Sequence, residues 1–214
     1  MRKLSVPEWC CAVRFNQDGD TSILNDTETA FTVIKDSYRY WTADPFLAEE
    51  NGKYYFFFEA YDRLKRKGVL GYREITENSA CKIKIIYECG SHLSYPFIFK
   101  ENGIYYIVPE SKASGELFRL KCEHFPDKWV KEKIISKVSV VDTTIVNYNG
   151  VDYYVSQRVI SAGRFDRLDL FYIENGRLRE CKNNPLKTDA ETARGAGKFF
   201  EYNEKLIRPS QNYG

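Results

Sequence analysis

Residues 44–59 read DPFLAEENGKYYFFFE, and this sixteen-residue stretch decides the fold. An apolar-rich run enters, Asn51-Gly52 reverses the chain, and an aromatic run leaves. Asn-Gly accepts the positive φ that both central residues of a type I′ turn require, and the twist of that turn matches the flanking strands. The stretch therefore predicts a two-residue β-hairpin. The same anatomy recurs without a gap in residues 95–110 (YPFIFKENGIYYIVPE), 142–157 (DTTIVNYNGVDYYVSQ) and 196–211 (AGKFFEYNEKLIRPSQ). The turns are Asn102-Gly103, Asn149-Gly150 and Asn203-Glu204, the last being the weakest because Glu resists positive φ.

The hairpins begin about 50 residues apart, which is the spacing of propeller blades built from several strands each. Strands over residues 68–74 and 82–88, 116–121 and 129–135, and 169–173 and 177–181 complete the first three units. The fold expected is all-β: one domain over residues 1–214, a β-propeller with blades at about 41–90, 91–138, 139–190 and 191–214. An N-terminal strand over residues 9–15 (WCCAVRF) is expected to join the last blade and close the ring. The count is three full blades, a half blade and that strand, where a closed propeller takes at least four blades. An incomplete propeller is expected: either the ring closes imperfectly, or a partner supplies the rest, or, the favoured reading, a further blade follows Gly214.

Composition agrees and excludes much else. Sixteen Tyr, fourteen Phe and three Trp favour strands, and Tyr also suits walls that stack on sugars. A net charge of +2 from 32 basic and 30 acidic residues is too balanced for a nucleic-acid footprint. The basic run at residues 63–67 falls in an expected loop, where a solvated face is the plain reading. No stretch approaches the ~20 apolar residues of a membrane helix, and no apolar run follows Arg2 and Lys3 as in a signal peptide. Six cysteines form no CxxC pair, so no zinc site or other cofactor is expected, and reduced thiols in a cytoplasmic protein are the simplest account. There is no phosphate-binding glycine loop, no G-x-S-x-G elbow and no His-x-x-x-His pair.

The hairpin register predicts where chemistry sits. Counting back from Asn51-Gly52 sets Asp44 opposite Glu59, and the same count sets Tyr95 opposite Glu110, Asp142 opposite Gln157 and Ala196 opposite Gln211. In a propeller these equivalent ends converge on one rim of the channel. Asp44, Glu59, Glu110 and Asp142 are thus the candidate catalytic acids, with His92, Tyr95, Gln157, Arg158, Arg208 and Gln211 as candidate substrate-binding residues. A carboxyl that keeps its proton beside an ionised one is the pairing glycoside hydrolysis uses. Each has a plainer reading: Asp44 shapes a strand entry before Pro45, Arg158 and Arg208 neutralise channel acids, Asp142 bonds its own backbone, and the Tyr-Tyr pairs pack between blades.

The phrases WTADPFLAEENGKYYFFFEAY, SHLSYPFIFKENGIYYIVPES, FPDKW, VDTTIV and GKFFEYNEKLIRPSQNYG resemble the N-terminal domain family of plant glucosamine inositolphosphorylceramide transferase and its bacterial relatives, over about residues 9–214. The resemblance implies a five-bladed propeller similar to the arabinanase, levansucrase and invertase superfamily. It implies a place in surface-glycan assembly beside a glycosyltransferase or formyltransferase partner, with transferase activity belonging to a separate domain. Of the glycosidase acids it implies, Asp44 matches the first, Tyr95 stands where the second would be, and Asp142 stands where a Glu would be. Three functions follow as alternatives: a carbohydrate-recognition or accessory module in polysaccharide biosynthesis, a glycosidase or transglycosidase using the channel carboxylates, and a structural propeller that docks a partner enzyme.

Overall fold

A computed structural model describes residues 9–15, 30–77, 79–158 and 167–212. Parts of the expected third blade (residues 159–166) and the last two residues lie outside these. The described chain is strand and turn throughout, apart from one 3-10 turn at Lys112–Ser114. No helix among the described residues is long and apolar enough to cross a membrane.

The chain opens with a short antiparallel pair, β1 (Cys11–Val13) on β2 (Thr32–Ile34). The first blade is β3 (Tyr40–Glu50), β4 (Lys53–Asp62) and β5 (Lys67–Thr76), with β6 (Ser79–Ala80) and β7 (Lys84–Tyr87) both on the outer edge of β5. The second blade is β8 (Ser94–Glu101), β9 (Ile104–Glu110), β10 (Leu117–His124) and β11 (Lys128–Ser136), paired in that order. The third is β12 (Val140–Tyr148), β13 (Val151–Arg158) and β14 (Arg167–Glu174), with β15 (Arg177–Glu180) and β16 (Lys187–Thr188) on β14. A last hairpin, β17 (Phe200–Tyr202) and β18 (Lys205–Ile207), begins a fourth. Strand β1 was expected to join that last blade; among the described residues its partner is β2 instead, and the pair packs on the first blade.

The aromatic run of β4 explains that packing. Alternate residues of a strand point to opposite faces. Tyr55 and Phe57 enter the core shared with the second blade, while Phe56 and Phe58 enter the core under β1 and β2, beside Cys11 and Ile34. Both faces of β4 are covered, so the strand reads as an unbroken apolar run rather than as an alternation. Burying each such Phe contributes about 2–3 kcal/mol. Further apolar layers join the second blade to the third around Val108, Leu117 and Phe171, and the third to the last hairpin around Val155, Leu168 and Ala193.

The turns are as the sequence predicts: Asn51-Gly52, Asn102-Gly103 and Asn149-Gly150 carry positive φ at both positions. Asn175-Gly176, between β14 and β15, is a fifth turn of the same kind. The register near the channel is not as predicted. Each of the first three hairpins pairs regularly outward from its turn, then slips by one residue, so that Ala43 faces Glu59, Ser94 faces Glu110 and Val141 faces Gln157. In the last hairpin Gly195, not Ala196, bridges across, and its partner is Ser210. The extra residues in the first three blades are Asp44, Tyr95 and Asp142 with their successors, and these three carry φ of +52°, +43° and +51°. This is a β-bulge, which inserts an unpaired residue and re-aims its side chain. Pro45 and Pro96 follow the first two and have no N–H to give the ladder in any case.

Glu204 has φ +59° and bears a side chain where the other hairpin turns have glycine. Left-handed backbone costs a non-glycine residue about 1–2 kcal/mol, partly offset by the entropy glycine loses on folding. Glu204→Gly is expected to raise stability by roughly 0.5–1 kcal/mol in chemical denaturation. A loss of stability would show that this turn is not under the strain its backbone indicates.

Candidate functional site

The three bulges do what the register alone could not: they lift Asp44, Tyr95 and Asp142 out of the ladder and toward one another. Two adjoining cavities open there. The larger, about 680 Å³, lies between the N-terminal segment and the last hairpin, with Asp44, Glu59 and Tyr95 in its wall. The smaller, about 350 Å³, is lined by Trp41, Tyr61, His92 and Glu110. Trp9, Asp44, Glu59 and Arg194 line both. Trp41 and Tyr61, opposite each other on β3 and β4, stack at 4.6 Å with their rings 11° apart. They give the smaller cavity an aromatic side.

The carboxyls share this space with one partly buried guanidinium, that of Arg194. Arg194 Nε donates to Asp142 Oδ2 at 2.8 Å, while Asp142 Oδ1 is buried with no hydrogen-bond partner among the described residues. Asp44 Oδ2 accepts the Tyr95 backbone N–H at 3.2 Å. Burial, then the charges of Asp142 and Glu59, push the Asp44 carboxyl up to about 7. Burial and the adjacent Asp142 push Glu110 further, to about 9. Burial also raises Asp142, but Arg194 opposes it. The Glu110–Asp142 pair therefore keeps its proton on Glu110 at neutral pH, while Arg194 favours the charged form of Asp142 against the effect of burial.

His92 and Glu59 are held by a close backbone approach. The Gly68 N–H donates to His92 Nδ1 at 2.9 Å, so the ring hydrogen sits on Nε2. Nε2 lies 3.2 Å from Glu59 Oε1 but out of hydrogen-bonding line, and that buried oxygen has no hydrogen-bond partner among the described residues. A Cβ on Gly68 would run into the Leu93 carbonyl, 2.5 Å from Glu59 Oε1 and 2.9 Å from the His92 ring, so only glycine fits behind this pair. Tyr95 acts as a strut. Its hydroxyl lies 2.9 Å from Thr144 Oγ1 and accepts the Gly197 N–H at 3.1 Å, linking the second blade to the third and to the last hairpin. Burial raises its phenol, which stays protonated.

Of the residues singled out from the sequence, Asp44, Glu59, Glu110 and Asp142 come together, with His92, Tyr95 and Gln211 around them. Gln211 Nε2 is tied to the Gly195 carbonyl at 3.1 Å. Three residues line neither cavity. Gln157 is fully buried and faces Val141, because the bulge moved Asp142 away. Arg158 does not neutralise the channel acids; it pairs with Asp169 at 3.2 Å and Glu180 at 2.5 Å within its own blade. Arg208 donates to the backbone carbonyls of Thr192, Ala193 and Pro209. The cation that does reach the acids, Arg194, has no counterpart in the repeat. Its only signal is a long cation among small residues, Ala193-Arg194-Gly195-Ala196-Gly197. Among the described residues no group of three or more His, Cys, Asp or Glu is placed to hold a metal ion.

The chain belongs to the family described as glucosamine inositolphosphorylceramide transferase 1, N-terminal, which it matches over residues 16–214. It is 31% identical over 180 residues to glucosamine inositolphosphorylceramide transferase 1 of Arabidopsis thaliana, a match covering 80% of this chain and 24% of that protein. The enzyme of the same name from Oryza sativa subsp. japonica is 28% identical over the same shares. The chain thus spans about a quarter of the length of these relatives. Among solved structures it is similar to an exo-beta-1,3-galactanase from Phanerochaete chrysosporium, with a TM-score of 0.61 at 12% identity over 85% of this chain and 47% of that one. A family 117 glycoside hydrolase from Zobellia galactanivorans gives 0.60 at 14% identity, over 82% and 64%. The fold is therefore the all-β propeller of the five-bladed glycosidase type.

The raised carboxyls fix a slope of stability with pH. Asp44 and Glu110 ionise near ~3.9 and ~4.3 in an unfolded chain, against about 7 and about 9 when folded. The stability they contribute is full below about pH 4 and is lost as pH rises through those folded values. Asn tolerates the left-handed backbone at position 44. Asp44→Asn is therefore expected to be stabilising relative to the parent chain by on the order of 1–3 kcal/mol at pH 8, and by much less at pH 4. Chemical denaturation at both pH values checks this; an equal effect at the two would contradict it.

Proposed function

We propose that the paired cavities form a carbohydrate-recognition site, and that the chain serves as a glycan-binding accessory module in surface glycoconjugate assembly. The observation that carries this reading is the convergence of four carboxyls, with Glu110 holding its proton, and an aromatic wall at one mouth. Sugar hydroxyls both donate and accept hydrogen bonds, so they suit a site where Asp142 and Glu59 accept and Glu110 donates. The apolar face of a pyranose suits an aromatic ring, here the Trp9 indole and the Trp41–Tyr61 pair. Membership of a family named for a sugar transferase supports the reading, as does a fold otherwise met in glycan-degrading enzymes. Transfer chemistry itself is assigned to a partner, a glycosyltransferase or formyltransferase domain, that would receive the bound glycan.

A glycosidase or transglycosidase is the second reading, and one observation favours it: Glu110 holds a proton beside a second carboxyl, Asp142, that is paired with Arg194, a pairing that resembles the acid and base of glycoside cleavage. Against it stands the second bulge, which presents a phenol, Tyr95, already engaged by Thr144 and Gly197.

The two readings separate experimentally. On a glycan array followed by calorimetry, the folded protein is expected to bind carbohydrate, and Trp9→Ala to weaken binding roughly 3–10-fold through lost stacking. Trp9 is 55% exposed, so this change should leave the fold intact. No binding by the folded protein, or full affinity in Trp9→Ala, would contradict the recognition reading. Turnover of an aryl-glycoside panel that is lost in Glu110→Gln would establish the second reading in its place.

A further inference from the structure

The two most exposed large apolar side chains among the described residues sit side by side. Tyr38 is 98% exposed and Leu64 is 75% exposed, and they border one hollow. Tyr38 lies in the loop that enters β3, and Leu64 in the loop from β4 to β5. Single exposed apolar residues are ordinary. These two are held in place. The Arg63 guanidinium donates to the carbonyls of Ser37 and Tyr38 at 2.8 and 2.9 Å. Buried Asp62 accepts the backbone N–H groups of Leu64 and Lys65 on one oxygen and the Arg39 guanidinium on the other. Both tips are therefore fixed outward on a bonded base.

The charge around them is the second observation. Arg39, Arg63, Lys65 and Arg66 crowd the same two loops. Of the acids beside them, Asp62 is buried beneath the tip, and Asp36 is partly buried and bonded by Thr42. Glu88 is exposed, and Lys65 holds it at 2.5 Å. The outer layer is thus cationic, with an aromatic ring and an aliphatic chain at its crest.

We propose that this face docks on an anionic lipid surface, with Tyr38 and Leu64 entering the headgroup layer and the four cations over the negative headgroups. Tyr suits the boundary between water and lipid because its ring is apolar and its hydroxyl polar. A bilayer accepts two protruding side chains, whereas a stable protein interface needs about 800 Å² of matched surface per partner. Each Lys or Arg near a negative lipid surface strengthens binding about fivefold, so these cations with two small anchors give reversible docking. Tyr40 and Asp62, at the base of the tip, adjoin Trp41 and Tyr61 of the smaller cavity. Docking sets that cavity beside the headgroups, and it does not depend on what the cavity binds.

Vesicle co-sedimentation of the folded chain tests this, with phosphatidylcholine alone and with phosphatidylcholine containing about one-third phosphatidylserine. Binding to the second is expected to be about tenfold or more tighter than to the first, and to fall as salt is raised. Arg66 stands at φ +55°, a conformation Asn tolerates. Arg66→Asn and Tyr38→Ala are each expected to weaken binding about three- to tenfold. Both side chains are exposed, so the fold is kept. Lys133→Ala, on the outer strand β11 of the second blade, is expected to bind as the parent does. No binding to anionic vesicles at low salt, or full binding by either loop variant, overturns the proposal. An equal loss in Lys133→Ala overturns it too, since cations would then act from anywhere on the surface. Poly-L-glutamate bound as tightly as anionic vesicles would also overturn it, and would make an acidic protein the occupant of this face.

Discussion

The inner strand of each of the three complete blades carries one residue too many at its channel end, and the site depends on where that residue goes. Its backbone turns left-handed, at a cost of about 1–3 kcal/mol per position. The neighbouring ladder on the turn side is regular and anchored by an Asn-Gly reversal, so the strain cannot relax outward. It is held by packing on both faces of the blades, above all around Phe57, Phe97 and Phe118. The result is a repeated device: a bulge that aims a side chain at the axis, filled by Asp, Tyr and Asp in turn.

What those side chains meet is a problem of desolvation. Four carboxyls near one guanidinium cannot all ionise away from water, so protons are retained, on Glu110 first and on Asp44 partly at neutral pH. Tyr95 is the exception that gives the cluster its shape. Placed where the other two blades have acids, it removes one charge and uses its hydroxyl to tie three parts of the ring together. The mouth is consequently a mixed surface of donors, acceptors and aromatic rings rather than a uniform acidic patch.

Much of the fold was legible because hairpin turns and strand alternation are local. Asn51-Gly52, Asn102-Gly103 and Asn149-Gly150 set the turns, and the aromatic run after Asn51-Gly52 announced a strand, though not that both its faces are covered. The convergence of Asp44, Glu59, Glu110 and Asp142 was legible too, since equivalent strand ends meet at the axis of any propeller. The bulge was not, because one inserted residue leaves the apolar pattern near the turn untouched; the prolines at 45 and 96 were its only trace. Nor were the partners of the arginines. Arg158 and Arg208 stand near strand ends in sequence, yet acids and carbonyls of their own neighbourhood satisfy them. Arg194 reaches the acids from a segment outside the repeat. Long-range pairing of charges is set by tertiary approach, which a repeat pattern does not encode.

The central claim is that buried carboxyls, brought together by the bulges, keep their protons at neutral pH. Carbon-13 NMR titration of the Asp and Glu side-chain carboxyls measures this directly, with Asp44→Asn and Glu110→Gln assigning the resonances. One carboxyl titrating near 7, lost in the first variant, and one near 9, lost in the second, are the expected results. Both groups titrating in the ordinary range near pH ~4 would mean that the mouth is open to water and the cluster is not the site described.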